Sequence, residues 1–162
     1  MDAINVAPGG SGATEVLPNV DKIGGYRLDA VDEYLYFNGS VCNNWDGIND
    51  LRVTIIWELN AASSSDNDSV FLDLACWYKG SDEDTTKYQS LSEGVLVENE
   101  TQYTMHSTEF TIDYDLADNV VQMGDIFAFR INLNTGSSDV DDVVINFGHF
   151  SYKTRKPQPT TY

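Results

Sequence analysis

The residues able to do chemistry are few. His106 and His149 are the two imidazoles in 162 residues, and acid–base or zinc chemistry would draw on them first. Each falls in an alternating, strand-like run, where a histidine is more often a structural hydrogen-bonding residue than a base. No H-E-x-x-H, G-x-S-x-G, phosphate-binding glycine loop or CxxC pair occurs. Two carboxylates on facing strands could hydrolyse a glycoside. Glu58 and Glu109 are the glutamates set well inside strong strands, but both take outward positions, where solvated charge is expected. The chain therefore reads as non-enzymatic. Cys42 and Cys76 sit beside apolar residues and read as buried free thiols, with no disulfide framework.

Two further sets of side chains could bind without catalysing. Asp139, Asp141 and Asp142 are the best candidates for calcium, which takes carboxylate and carbonyl oxygens, although no segment fits the twelve-residue EF-hand loop. The competing reading is a solvated acidic surface, with no cofactor. Trp45, Trp77, Tyr78 and Tyr88 could stack on a sugar, or could form packing or a subunit interface, since Trp and Tyr are enriched there too. Trp57 lies on an inward row and reads as core.

The elements that would carry these residues follow from composition and periodicity. Lys and Arg number 9 and Asp and Glu 26, for a net charge of -17. Such a chain repels phosphate backbones and anionic membrane surfaces, so neither nucleic acid nor membrane is an expected partner. Hydrophobic residues make up 41%, enough for a folded core. Met1-Asp2-Ala3-Ile4 has no basic stretch leading into an apolar one, so no signal peptide is expected.

Residues 1–30 carry Pro8-Gly9-Gly10-Ser11-Gly12, Pro18 and Gly24-Gly25. They show no persistent periodicity and read as an irregular N-terminal arm. From about residue 33 the period is two. Strands are expected over Tyr34–Phe37, 51–60, 70–79, Gly94–Glu98, Ser107–Ile112, Asp125–Leu133 and Val143–Tyr152, with Ala61–Asp68 as a hairpin loop. No segment makes a good amphipathic helix; 113–123 could hold one helical turn. Short strands separated by polar turns predict an all-β, antiparallel two-sheet sandwich over 31–153, a jelly roll being a common solution at this length. A basic tail, 154–162, contains Pro157 and Pro159 and could lie on the protein's own surface or a partner's.

Several segments together carry a resemblance. They are Asp32-Glu33-Tyr34-Leu35-Tyr36-Phe37, Asn44-Trp45-Asp46-Gly47, the run Leu51 to Trp57, the run Val70 to Tyr78, Glu109-Phe110-Thr111-Ile112, and Gly124-Asp125 before the Phe127 and Phe129 alternation. Over residues 32–153 the chain resembles the small virion-associated jelly rolls of tailed phages and environmental viruses. The resemblance implies a domain used for capsid decoration, head fibres or fibre tips. Such domains are often homotrimers and carry no catalytic residues. It implies a virion location after assembly in the host cytoplasm, with the major capsid protein or another virion protein as partner and the arm as anchor. The alternative is a glycan-binding module or receptor-binding fibre tip that takes a host surface glycan.

Overall fold

Alternation is carried into the structure most directly at the strand Leu51–Leu59, where Leu51, Val53, Ile55, Trp57 and Leu59 are all buried on one face. Phe127, Phe129, Ile131 and Leu133 do the same on another strand. The structure, a computed structural model, describes residues 5–6 and 12–155. Its strands are β1 (Asn5–Val6), β2 (Thr14–Val16), β3 (Gly25–Leu28), β4 (Leu35–Ser40), β5 (Leu51–Leu59), β6 (Ser69–Lys79), β7 (Lys87–Leu96), β8 (Met105–Ile112), β9 (Ile126–Leu133) and β10 (Val143–Ser151). There is no helix among the described residues, and 113–123 is built from turns.

The strands form two five-stranded antiparallel sheets. Sheet A has the order β1-β4-β9-β6-β7 and sheet B the order β2-β3-β10-β5-β8. Their inward rows face each other and bury one continuous core. Phe127 stacks on Tyr78 and Phe129, and Phe150 reaches across from sheet B to both phenylalanines. The chain is a β-sandwich.

Most expected strands are present, but four expectations need correction. The Ala61–Asp68 connection is not a hairpin loop: β5 belongs to sheet B and β6 to sheet A, so it crosses between sheets. The strand expected over Gly94–Glu98 begins at Lys87. Its first half was hidden because its inward row includes a polar residue, Gln89. Buried Gln89 donates to Tyr78 Oη and to the Asp113 carbonyl, both at 2.8 Å, and accepts from the Asp113 N–H.

The arm expected over 1–30 is partly sheet. β3 pairs with β10, places Leu28 in the core, and holds β2 on its other edge. Gly25 reads as loop punctuation in the sequence, but it is a strand residue at a close backbone approach. A Cβ there would stand 2.1 Å from the Ile145 carbonyl oxygen. Beside it β10 carries a bulge between Ile145 and Phe147, and the bulged Asn146 donates its amide to the Gly24 carbonyl. Residues 1–4 and 7–11 of the expected arm, and 156–162 of the expected tail, lie outside the described residues. The start of the tail rests on the protein itself, where Thr154 bridges Trp45 and the Arg155 N–H donates to the Asn44 carbonyl.

Fourth, Cys42 is exposed; Cys76 is buried as expected.

Candidate functional site

The sandwich sorts the candidate aromatics sharply. Trp45 is buried, donates its indole N–H to the Asn49 carbonyl and packs edge-on against Tyr114. Tyr78 is also buried, on the inward row of β6, with its hydroxyl donating to the Asn119 carbonyl. Neither presents a ring to a ligand, contrary to the expectation that both could. Burial pushes the Tyr78 phenol up to about 12. Trp77 and Tyr88 do share the outer face of sheet A. They are direct cross-strand partners on β6 and β7, with ring centroids 5.4 Å apart.

The register of β6 against β9 sets Trp77 opposite Ala128, with Arg130 one outward position further along. The Arg130 guanidinium lies 4.5 Å from the Tyr34 ring centroid and 5.5 Å from that of Trp77. No carboxylate pairs with it among the described residues. Trp77 therefore stands between Tyr88 on one side and the Arg130–Tyr34 stack on the other. Beside it is a groove of about 540 Å³, walled by Trp77 and Ile126, floored by Ala128 and rimmed by Asn38, Lys79 and Thr86. Ile126 is 67% exposed there.

The other candidates do not gather into a site. Asp139 accepts from Ser69 N–H and Oγ, at 3.1 and 2.7 Å. Asp142 takes a bidentate contact from Arg27, both bonds 2.7 Å, and accepts from Asn60. Asp141 is exposed on the surface. Asp139 and Asp142 thus spend oxygens on β3, β6 and the β5 end, and no metal-type group of three or more ligating side chains occurs among the described residues. Glu109 is exposed and pairs with Arg52 at 3.0 Å.

Glu58 departs from expectation. It points outward from sheet B yet is only 2% exposed, because the β2–β3 connection lies over it and the Ile23 N–H donates to its Oε1 at 3.0 Å. Glu109 is registered opposite Thr54, four residues from Glu58 along β5. At roughly 3.3 Å per residue this separates them by about 13 Å, too far for a glycosidase pair at about 5–9.5 Å. His106 stacks on Trp57 and lies 2.7 Å from Glu100 Oε2, out of line for a ring N–H hydrogen bond. His149 is exposed beside Phe147 on the outer face of sheet B.

Sequence reasoning missed one buried polar cluster altogether. Lys87 Nζ donates to Asp125 Oδ2 and Glu83 Oε1, each at 2.9 Å, and to the Val120 carbonyl at 3.1 Å. Three acceptors match the three donors of an ammonium. Burial alone would lower this lysine, but the bonds to Asp125 and Glu83 outweigh it and hold its pKa above the usual value. The Lys87 bond, followed by the Gly80 N–H, holds Glu83 below the usual carboxylate range. The cluster ties the β6–β7 hairpin to the start of β9.

The sequence matches no known protein family and no curated protein.

Proposed function

We propose that the sandwich is an eight-stranded jelly roll and that the protein is a non-enzymatic virion structural component, a capsid-decoration or head-fibre protein. The observation that carries this reading is the strand order. With β1 and β2 set aside as edge additions, the sheets are β4-β9-β6-β7 and β3-β10-β5-β8. Every connection between consecutive strands from β3 onward crosses from sheet to sheet except β6–β7. That order supports a wrapping of two interlocked Greek keys. The resemblance carried by residues 32–153 supports the same reading.

The protein would assemble as a homotrimer on the major capsid protein or another virion protein. Because β2 and β3 belong to sheet B, its anchor shortens to residues 1–11, a stretch that includes the two-residue edge strand β1 paired with β4. The test is light scattering on size-exclusion fractions, together with co-sedimentation on purified capsids of the virus encoding it. The full chain should be a trimer and should sediment with shells. A chain starting at Gly12, which loses from the sheets only the two-residue edge strand β1, should still fold and should lose the shells. A full chain that is monomeric and leaves shells bare overturns the reading. Equal binding by the truncated chain overturns the anchor.

A second reading, a glycan-binding module or receptor-binding tip, is favoured by one observation. Trp77 and Tyr88 stay on an open sheet face after Trp45 and Tyr78 are buried.

A further inference from the structure

We propose that the groove beside Trp77 on the outer face of sheet A binds a short uncharged saccharide, with Arg130 as a positioning residue that holds the Trp77 ring. The inference rests on the glycan-binding reading and is independent of the virion reading. A pyranose has an apolar C–H face and a hydroxyl edge. The groove offers the complement: apolar surface from Ala128, Ile126 and the part of the Trp77 indole that Tyr88 and Arg130 leave open, and polar groups at Asn38, Lys79 and Thr86. Its volume, about 540 Å³, falls in the range of roughly 300–1,000 Å³ usual for small-ligand sites.

Charge narrows the ligand. In a chain with 26 carboxylates, none lines this groove. Yet Asp82 and Asp84 are exposed immediately beyond Ser81 at its end, and the protein carries a net charge of -17. A polyanionic glycan would be repelled on approach, whereas hydroxyl groups would not. An extended peptide is not matched either. Trp77 and Ala128 lie on β6 and β9, which are paired on both sides, so no free strand edge is offered there.

The ring is also pre-set. Tyr88 packs on Trp77 at 5.4 Å, and Arg130, itself over Tyr34, closes on it at 5.5 Å. A wall held in place before binding loses less side-chain freedom when the ligand arrives.

The experiment is a glycan array carrying neutral and acidic saccharides, followed by titration of the neutral hits by tryptophan fluorescence and calorimetry. The variants are Trp77→Ala, Ala128→Arg, which fills the floor, and Arg130→Gln, each with its melting curve. The wild type should bind at least one neutral saccharide. Trp77→Ala and Ala128→Arg should each weaken it at least about tenfold. Arg130→Gln should weaken it about two- to fivefold, as expected for loss of one exposed cation–π brace, and should broaden the Trp77 indole N–H resonance in the free protein. Should Trp77→Ala fail to fold, Ala128→Arg decides alone.

A neutral saccharide bound equally by wild type, Trp77→Ala and Ala128→Arg overturns the groove and leaves the glycan reading standing. Binding of acidic saccharides alone overturns the ligand class. An array with no hit overturns the inference and the glycan reading together. Conversion of an oligomer to monomer by Ala128→Arg in that case assigns the face to a subunit contact.

Discussion

Replacing Lys87 with Met removes the only cation beside Asp125 among the described residues while keeping a side chain of similar length. Asp125 is 0% exposed and the Lys87 side chain 10%. In the variant the Asp125 carboxylate keeps one donor, the Gln122 N–H at 2.8 Å on Oδ2; its Oδ1 has no partner even in the intact protein. Stranding a buried charge in this way costs about 3–5 kcal/mol. The Val120 carbonyl loses its ammonium as well. For a chain of this size, about 2–4 °C of melting temperature goes with each kcal/mol, so the melt should fall by about 6–20 °C. Urea denaturation gives the free energy directly, with an unchanged m-value as the check on two-state behaviour. The cause is then isolated by Lys87→Met with Asp125→Asn. The neutral amide removes the buried charge, and the double variant should recover at least half of the loss. A loss below about 1 kcal/mol for Lys87→Met is the range of a surface pair. That result, or a double variant no more stable than the single one, would refute the assignment of Lys87–Asp125 as a buried structural lock.

Three other outcomes are expected. Truncation should be tolerated up to residue 11 but not to residue 30. The longer deletion removes Leu28 from the core and the Arg27 partner of Asp142; Leu28→Ala alone should cost about 2–5 kcal/mol in urea melts, and a fully stable chain starting at Val31 would contradict the placement of β3. A thiol reagent at pH 8 should modify one cysteine, exposed Cys42, with Cys76 reacting only in denaturant, because burial holds the Cys76 thiol up to about 12; two fast equivalents in the native protein would contradict this. Stability should fall in alkali. Both Cys76 and Tyr78 are raised in the fold, from 9.0 and 10.0 to about 12, so their contribution is complete below the unfolded values and is lost as pH climbs from about 9 to 12. Urea midpoints at pH 8 and 11 should show the drop, and Cys76→Ala should flatten it; an identical slope in that variant would remove Cys76 from the account.

The local sequence determined what depends on local geometry. A strand turns successive side chains to opposite faces, so Leu51 to Leu59 and Phe127 to Leu133 announced strands and their buried rows unaided. Seven such runs in one chain without a helical pattern sufficed for an antiparallel sandwich. What lies over the outward row is set by segments distant in the chain, and that the sequence did not disclose. Glu58 looked solvated until the β2–β3 connection covered it, 35 residues away at Ile23. Tyr78 and Trp45 read as candidate exposed aromatics like Trp77, until the opposite sheet and the Asn49 carbonyl enclosed them. Gly25 spelled a loop, because nothing nearby in sequence shows that the Ile145 carbonyl needs the space of its missing Cβ. Lys87 and Asp125 are 38 residues apart, each unremarkable among charged neighbours. Only the pairing of β6 with both β7 and β9 brings them together in a place where water cannot compensate either charge. The groove beside Trp77 has the same origin: its wall and its floor come from strands about 50 residues apart, joined by register alone.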